Sequence, residues 1–261
     1  MDLGLNDKVI VVTGGGAGIG AGITRLCLAE GARVVVLGRR SKNVEDFMAE
    51  MKAAAAMCDL VEAHLEDTQR CKQAIGEIEE RFGGIDGLVN NAGVNDGVSL
   101  DSGGVERFIE SLNKNLVHYY ALAHFALPAL KRSQGSIVNI SSKVALTGQG
   151  GTSGYAASKG AQLALTREWA AELLPFRIRV NAVLPAEVMT PLYARWLETL
   201  GDPEARLKQI TDKIPLGHRM TLSAEIAATV VFLLSPTQSG HTTGQHLIVD
   251  GGYVHLDRAL T

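Results

Sequence analysis

Short runs of consecutive apolar residues alternate along the chain with longer stretches in which apolar positions recur every three or four residues. Lys8–Val12, Arg33–Leu37, Val61–Leu65, Asp86–Val89, Ser136–Ile140, Ile178–Val183 and Gln245–Val249 read as strands. Glycines after Val12 lead into a helix-like run to Glu30. Asn43–Ala55, Thr68–Phe82, Val105–Lys131 and Ser153–Leu174 also read as helices, and Pro128 ends or kinks the third of these four. Strands alternating with helices imply crossover connections and a parallel sheet. The strands are near-continuous Val/Ile/Leu runs, as expected where helices cover both faces. The pattern predicts an α/β fold, a doubly wound parallel sheet. No linker, repeat or charge block divides residues 1–261, so a single domain is expected.

Composition narrows the function classes. Lys+Arg 25 against Asp+Glu 28 leaves a net charge of −3, which gives no basic field for nucleic acid. No apolar stretch reaches the ~20 residues of a membrane span, and the N-terminus has no charged segment followed by an apolar one. Cys27, Cys58 and Cys71 make no CxxC pair, which fits a reducing cytoplasm. The 7 histidines form no ligand constellation, so no metal site is expected. The 29 glycines are more numerous than average usage and follow no period, so they must serve discrete turns and close approaches.

The first such place is Thr13-Gly14-Gly15-Gly16-Ala17-Gly18-Ile19-Gly20, between a strand and a helix. Glycines there let the backbone approach a pyrophosphate, which the helix N-terminus attracts. A plain glycine-rich turn is the other reading; the strand–helix context favours a dinucleotide. A P-loop is disfavoured because no Gly-Lys-Ser/Thr follows. After the second strand comes Val36-Leu37-Gly38-Arg39-Arg40, with glycine where an aspartate would bind the ribose of NAD. Arg39 and Arg40 suit a 2′-phosphate, so NADP is favoured over NAD, unless the two are ordinary loop charges.

Ser141-Ser142 follows an apolar strand, and Tyr155-Ala156-Ala157-Ser158-Lys159 follows later. On a helix Tyr155 and Lys159 share a face. A free phenol titrates near ~10, and a neighbouring ammonium favours the phenolate, so Tyr155 becomes a candidate acid–base group.

Together with Asn90-Asn91-Ala92-Gly93, Asn115-Leu116 and the late Asp250-Gly251-Gly252, these motifs resemble the short-chain dehydrogenase/reductase family over nearly the whole chain. The resemblance implies a Rossmann fold and a tetrad of Asn115, Ser142, Tyr155 and Lys159. In it Ser142 orients the reacting oxygen and Tyr155 exchanges the proton. Lys159 binds the nicotinamide ribose and lowers the tyrosine pKa, and Asn115 holds a relay water. It implies further cofactor contacts from Gly14, Gly16, Gly18, Ile19, Gly20, Asn91, Ala92 and Gly93, and from Val188 and Thr190, which match the carboxamide-holding positions. Ala186 departs from the family's usual glycine after Pro185. For the adenine contact Asp59 is the nearest acid, but the family's spacing points instead to His64, with Leu65 beside it.

Within the family, the strings around Asn91–Gly97, Ser141–Lys143, Thr147–Gly150, Pro185–Pro191 and Gly252–Arg258 resemble bacterial L-fucose dehydrogenases, which oxidise an anomeric hydroxyl to a lactone. Asn95, Asp96, Lys143, Gln149 and Glu187, with Ser142 and Tyr155, are the candidate sugar contacts; each of the first five, taken singly, reads equally well as an ordinary surface or structural residue, and their joint placement beside the tetrad favours the pocket. Residues 190–215 are expected to form a lid in which Leu192, Tyr193 and Trp196 either close over substrate or pack the lid down. A carbonyl reductase acting on 3-oxoacyl thioesters or hydroxysteroids, and a non-catalytic dinucleotide-binding regulator, are the competing readings. The family resemblance further implies a homotetramer pairing the helices of Val105–Lys131 and Ser153–Leu174. The tail beyond Gly252 is expected to reach the active site of its own or a neighbouring subunit.

Overall fold

The structure, a computed structural model, describes residues 1–256. Seven strands form one parallel sheet: β1 Val9–Thr13, β2 Arg33–Gly38, β3 Cys58–Glu62, β4 Gly87–Asn90, β5 Ser136–Ile140, β6 Arg179–Pro185 and β7 His246–Val249. Their order is β3-β2-β1-β4-β5-β6-β7, so the chain winds outward in both directions from β1 and β4. In such a sheet ligands bind beyond the carboxyl ends of the strands, at the point where the winding reverses.

Successive side chains of a strand point to opposite faces, and the core divides accordingly. Val9 and Val11 of β1 pack with Tyr119, Leu122 and Trp169 on one face. Ile10 and Val12 pack with Ile23, Val230 and Val231 on the other. The first face is covered by α3 (Thr68–Phe82), α5 (His118–Ser133) and α6 (Ser153–Glu172), with α4 (Val105–Leu112) packed on α6. The second is covered by α1 (Gly18–Ala29) and α9 (Ser223–Leu234). The side chains of Ser41 and Asp67 cap α2 (Lys42–Ala53) and α3, and Gly83 ends α3 in the left-handed conformation.

Three elements differ from the sequence expectation. β3 lies three residues earlier than expected, at Cys58–Glu62 instead of Val61–Leu65. The predicted single helix of Val105–Lys131 is two helices joined by a π-helical segment, Asn113–Val117, and α5 runs on past Pro128 to Ser133. Helix α9 has no counterpart in the expectation, because its sequence is apolar on nearly all sides and shows no stripe. Between β6 and α9 the chain makes an excursion of two short helices, α7 (Pro191–Glu198) and α8 (Pro203–Thr211), each capped at its start, by Thr190 and Asp202, with a proline at the head of the helix.

Candidate active site

The glycine turn between β1 and α1 has the shape a phosphate needs. Gly14 and Gly18 take positive φ, and a Cβ at Gly20 would stand 2.2 Å from the Gly14 carbonyl oxygen. No side chain caps α1, so its first N–H groups remain available at the cleft. Asn91 locks the turn: its Nδ2 donates to the Thr13 carbonyl at 2.8 Å, and the Asn91 and Ala92 amides donate to Thr13 Oγ1 at 2.8 and 2.9 Å.

From this turn a cleft of about 950 Å³ runs along the carboxyl ends of the strands to the segment after β6. Gly14, Gly18, Ile19, Arg39, Arg40, Leu65, Asn91, Ala92, Gly93, Val188 and Thr190 line it, as do Asn95, Asp96, Ser142, Tyr155 and Lys159. Gly20 sits behind the turn and Gly16 faces a groove on the outer side of α1. His64 is exposed and off the wall, where Leu65 and Glu66 stand instead. Gln149 is exposed on the loop before α6 and does not line the cleft. Lys143 and Glu187 pair with each other behind the wall. Tyr193 donates to the second Glu187 oxygen at 2.7 Å, and the Lys143 ammonium lies 4.2 Å from the Tyr253 ring centroid. The tail thus reaches this corner within its own chain at Tyr253; Asp257 and Arg258 lie outside the described residues.

Helix α6 presents Tyr155 and Lys159 on one face, and Ser141 fixes it to the end of β5 through a 2.9 Å bond to the Lys159 carbonyl. The Tyr155 ring is partly exposed along the cleft, yet enclosure of its hydroxyl pushes the phenol up to about 12, against the downward pull of the Ser142 hydroxyl. Lys159 reaches Tyr155 through the ring, 5.4 Å from its centroid, and its Nζ donates to the Ile140 carbonyl at 2.7 Å. Burial brings this ammonium down to about 7. Asn115 is fully buried in the π-helical segment, a distortion frequent at functional sites. Its Oδ1 accepts from the Val94 amide at 2.7 Å, which fixes the loop after β4.

Two acceptors that the sequence did not single out as a pair stand beside the cleft. His118 donates through Nε2 to the Lys114 carbonyl, 3.1 Å away; a carbonyl only accepts, so Nε2 carries the proton and Nδ1 is a bare acceptor. Burial brings His118 down to about 4, which keeps it neutral. Its Nδ1 and Asp96 Oδ2 are buried without a hydrogen-bond partner, and both residues line the cleft. The open helix terminus, the glycine cradle and these unfilled acceptors fit a dinucleotide with its hydroxyls.

A family model described as enoyl-(acyl carrier protein) reductase matches residues 14–254. The chain belongs to the short-chain dehydrogenase/reductase family. It is an oxidoreductase that acts on CH–OH groups with a nicotinamide cofactor. Among its family relatives, L-fucose dehydrogenase of Bos taurus is 36% identical over 247 residues, covering 94% of this chain and 88% of that protein. The solved Cj0485 dehydrogenase is 44% identical with a TM-score of 0.94, covering 100% of this chain and 99% of that one. The aldohexose dehydrogenase of Thermoplasma acidophilum is 32% identical with a TM-score of 0.88, each chain covered to 98%.

Proposed function

We propose that the protein is an aldose 1-dehydrogenase of the L-fucose type that uses NADP and gives a lactone. The observation that carries the reading is the polar rim beside Tyr155. Asn95, Asp96 and Ser142 line the cleft there; Asp96 Oδ2 accepts no hydrogen bond, and the Lys114 ammonium stands 4.0 Å from it. Sugar hydroxyls supply the donors and acceptors that such a wall requires, whereas a steroid would leave it unsatisfied. Similarity to sugar dehydrogenases supports it as well. Lys143 and Glu187, held as a pair with Tyr193, support the base of the substrate end instead of lining it.

In this reading Ser142 orients the anomeric oxygen and Tyr155 Oη takes its proton as the C1–H bond breaks. Lys159 is the positive charge that makes the phenolate accessible. When bound, the nicotinamide supplies the two-electron hydride acceptor. Leu65, Asn91–Gly93, Val188 and Thr190, which line the cleft, would hold the cofactor along its length, and the α1 terminus would hold its phosphates. For NADP the supporting residue is Arg39, which lines the cleft without an ion pair among the described residues. Arg40 is engaged by Glu62 and Glu45.

Initial rates with L-fucose, D-arabinose and L-galactose, each with NADP and NAD, test both parts. Turnover of the aldoses, with kcat/KM about tenfold higher for NADP (1.4 kcal/mol), is expected. No turnover of any aldose beside oxidation of a hydroxysteroid would sink the sugar reading.

We place the protein in the cytoplasm as a homotetramer. Its three cysteines are free, and burial pushes each thiol up, Cys27 to about 12. Among the described residues no helix is long and apolar enough to cross a membrane. Val105, Ile109, Val117 and Tyr120 form an exposed apolar row along α4, the π-helical segment and α5, which a second copy would cover. Tyr120→Glu places a charge in that row and is expected to halve the assembly in sedimentation-velocity runs. An unchanged species distribution would contradict this interface.

A further inference from the structure

Lys159 is a buried ammonium, and no carboxylate among the described residues contacts it. Its Nζ is 2.7 Å from the Ile140 carbonyl, 3.3 Å from Gln162 Oε1 and 3.4 Å from the Tyr119 hydroxyl. From α5 Tyr119 and His118 face it, and from its own helix Tyr155; none of these carries a negative charge at neutral pH. An ammonium so placed depends on neutral oxygens to remain charged.

Gln162 stands one helical turn beyond Lys159, fully buried. Its Nε2 donates to the main-chain carbonyl of Asn115 at 2.7 Å. A carbonyl can only accept, so this bond fixes which end of the amide faces which neighbour and turns Oε1 to the lysine. The Gln162 backbone is held in turn by the 2.8 Å bond that Thr166 Oγ1 donates to its carbonyl, and Thr166 by Asn139 at 2.9 Å. One amide thus spans from the π-helical segment to the ammonium beside Tyr155.

We infer that Gln162 is a positioning residue, whose side-chain amide ties Lys159 to the Asn115 carbonyl and keeps the ammonium where it supports the Tyr155 phenolate. The inference rests on the acid–base reading of Tyr155 given above. A lysine deprived of this acceptor loses its proton at lower pH, and the tyrosine then loses the charge that lowers its own pKa. The two titrate as a coupled pair.

Gln162→Met keeps length and removes both polar ends. The acid limb of kcat/KM for alcohol oxidation is expected to move to higher pH, by about half a unit to one unit, with rates recovering on the alkaline plateau. Gln162→Glu keeps the acceptor and adds a charge. In enzyme labelled with 13C-lysine, the Lys159 signal, assigned by its loss in Lys159→Arg, is expected to titrate lower in the methionine variant and higher in the glutamate variant. An even loss of rate across pH, or a lysine titration that stays put in whichever variant folds, overturns the inference. Activity retained in Tyr155→Phe instead overturns the catalytic reading beneath it, so the two failures are told apart.

Discussion

Tyr155→Phe is expected to lower kcat for alcohol oxidation by about 10²–10⁴-fold, the usual worth of a positioned acid–base group. The substitution removes one oxygen and leaves the ring, which packs at the cleft with Lys159 5.4 Å from its centroid. Folding and cofactor affinity should therefore change little, and the loss should fall on kcat instead of on KM for the cofactor. The residual rate should also lose the acid limb that the Tyr155 hydroxyl sets at the cleft wall. Ser142 has a hydroxyl there, but a serine is too weak a base to replace a phenolate. Steady-state rates over a pH series, with a cofactor titration by fluorescence quenching, check each part. A variant within tenfold of the parent at every pH would remove Tyr155 from the reaction.

Gly20→Ala should have the second-largest effect, through the cofactor. The new Cβ would lie 2.2 Å from the Gly14 carbonyl oxygen and 2.7 Å from Asn91 Nδ2. The first of these is backbone, so no side-chain rotation relieves the clash and the turn itself must shift. That displaces Gly14 and loosens the Asn91–Thr13 lock described above. A dissociation constant for NADP raised by about 10–100-fold is expected, equivalent to ~1.4–2.8 kcal/mol. Calorimetry should show Tm falling as well, since overpacking costs about 1–3 kcal/mol. Gly160→Ala is the matched control, because a Cβ there meets nothing within 4 Å and the residue lies inside α6. It should leave binding unchanged and stabilise by about 0.5–1 kcal/mol. Equal effects from the two would mean that the turn tolerates the clash.

What could be read from the chain follows from which interactions are local. The strand runs, the glycine turn and the Tyr155/Lys159 spacing are statements about neighbours a few residues apart, and they place most of the sheet and most of the cleft wall. β3 was displaced because Cys58-Asp59-Leu60 mixes polar and apolar residues at an edge of the sheet, where only one side is paired. α9 carries no readable period because its sequence is apolar on nearly all sides. The π-helical insertion was invisible because the apolar pattern continues through it. The Lys143–Glu187 pair joins residues 44 apart in the chain, which no local pattern reports. Gln162 had a faint local signal, a buried amide one turn after a buried lysine on the same helix face. His64 was placed by spacing alone, and the shift of β3 leaves it exposed, with Leu65 on the wall.

In the α7–α8 excursion the two helices bury a single side chain between them, Leu197, and each begins at a capped, proline-headed turn. None of the tetrad and none of the glycine cradle lies within it. The segment is thus a replaceable part. Successive changes of substrate can be written there, in descent or by grafting the equivalent stretch from another member of the family, without disturbing the sheet that carries the chemistry.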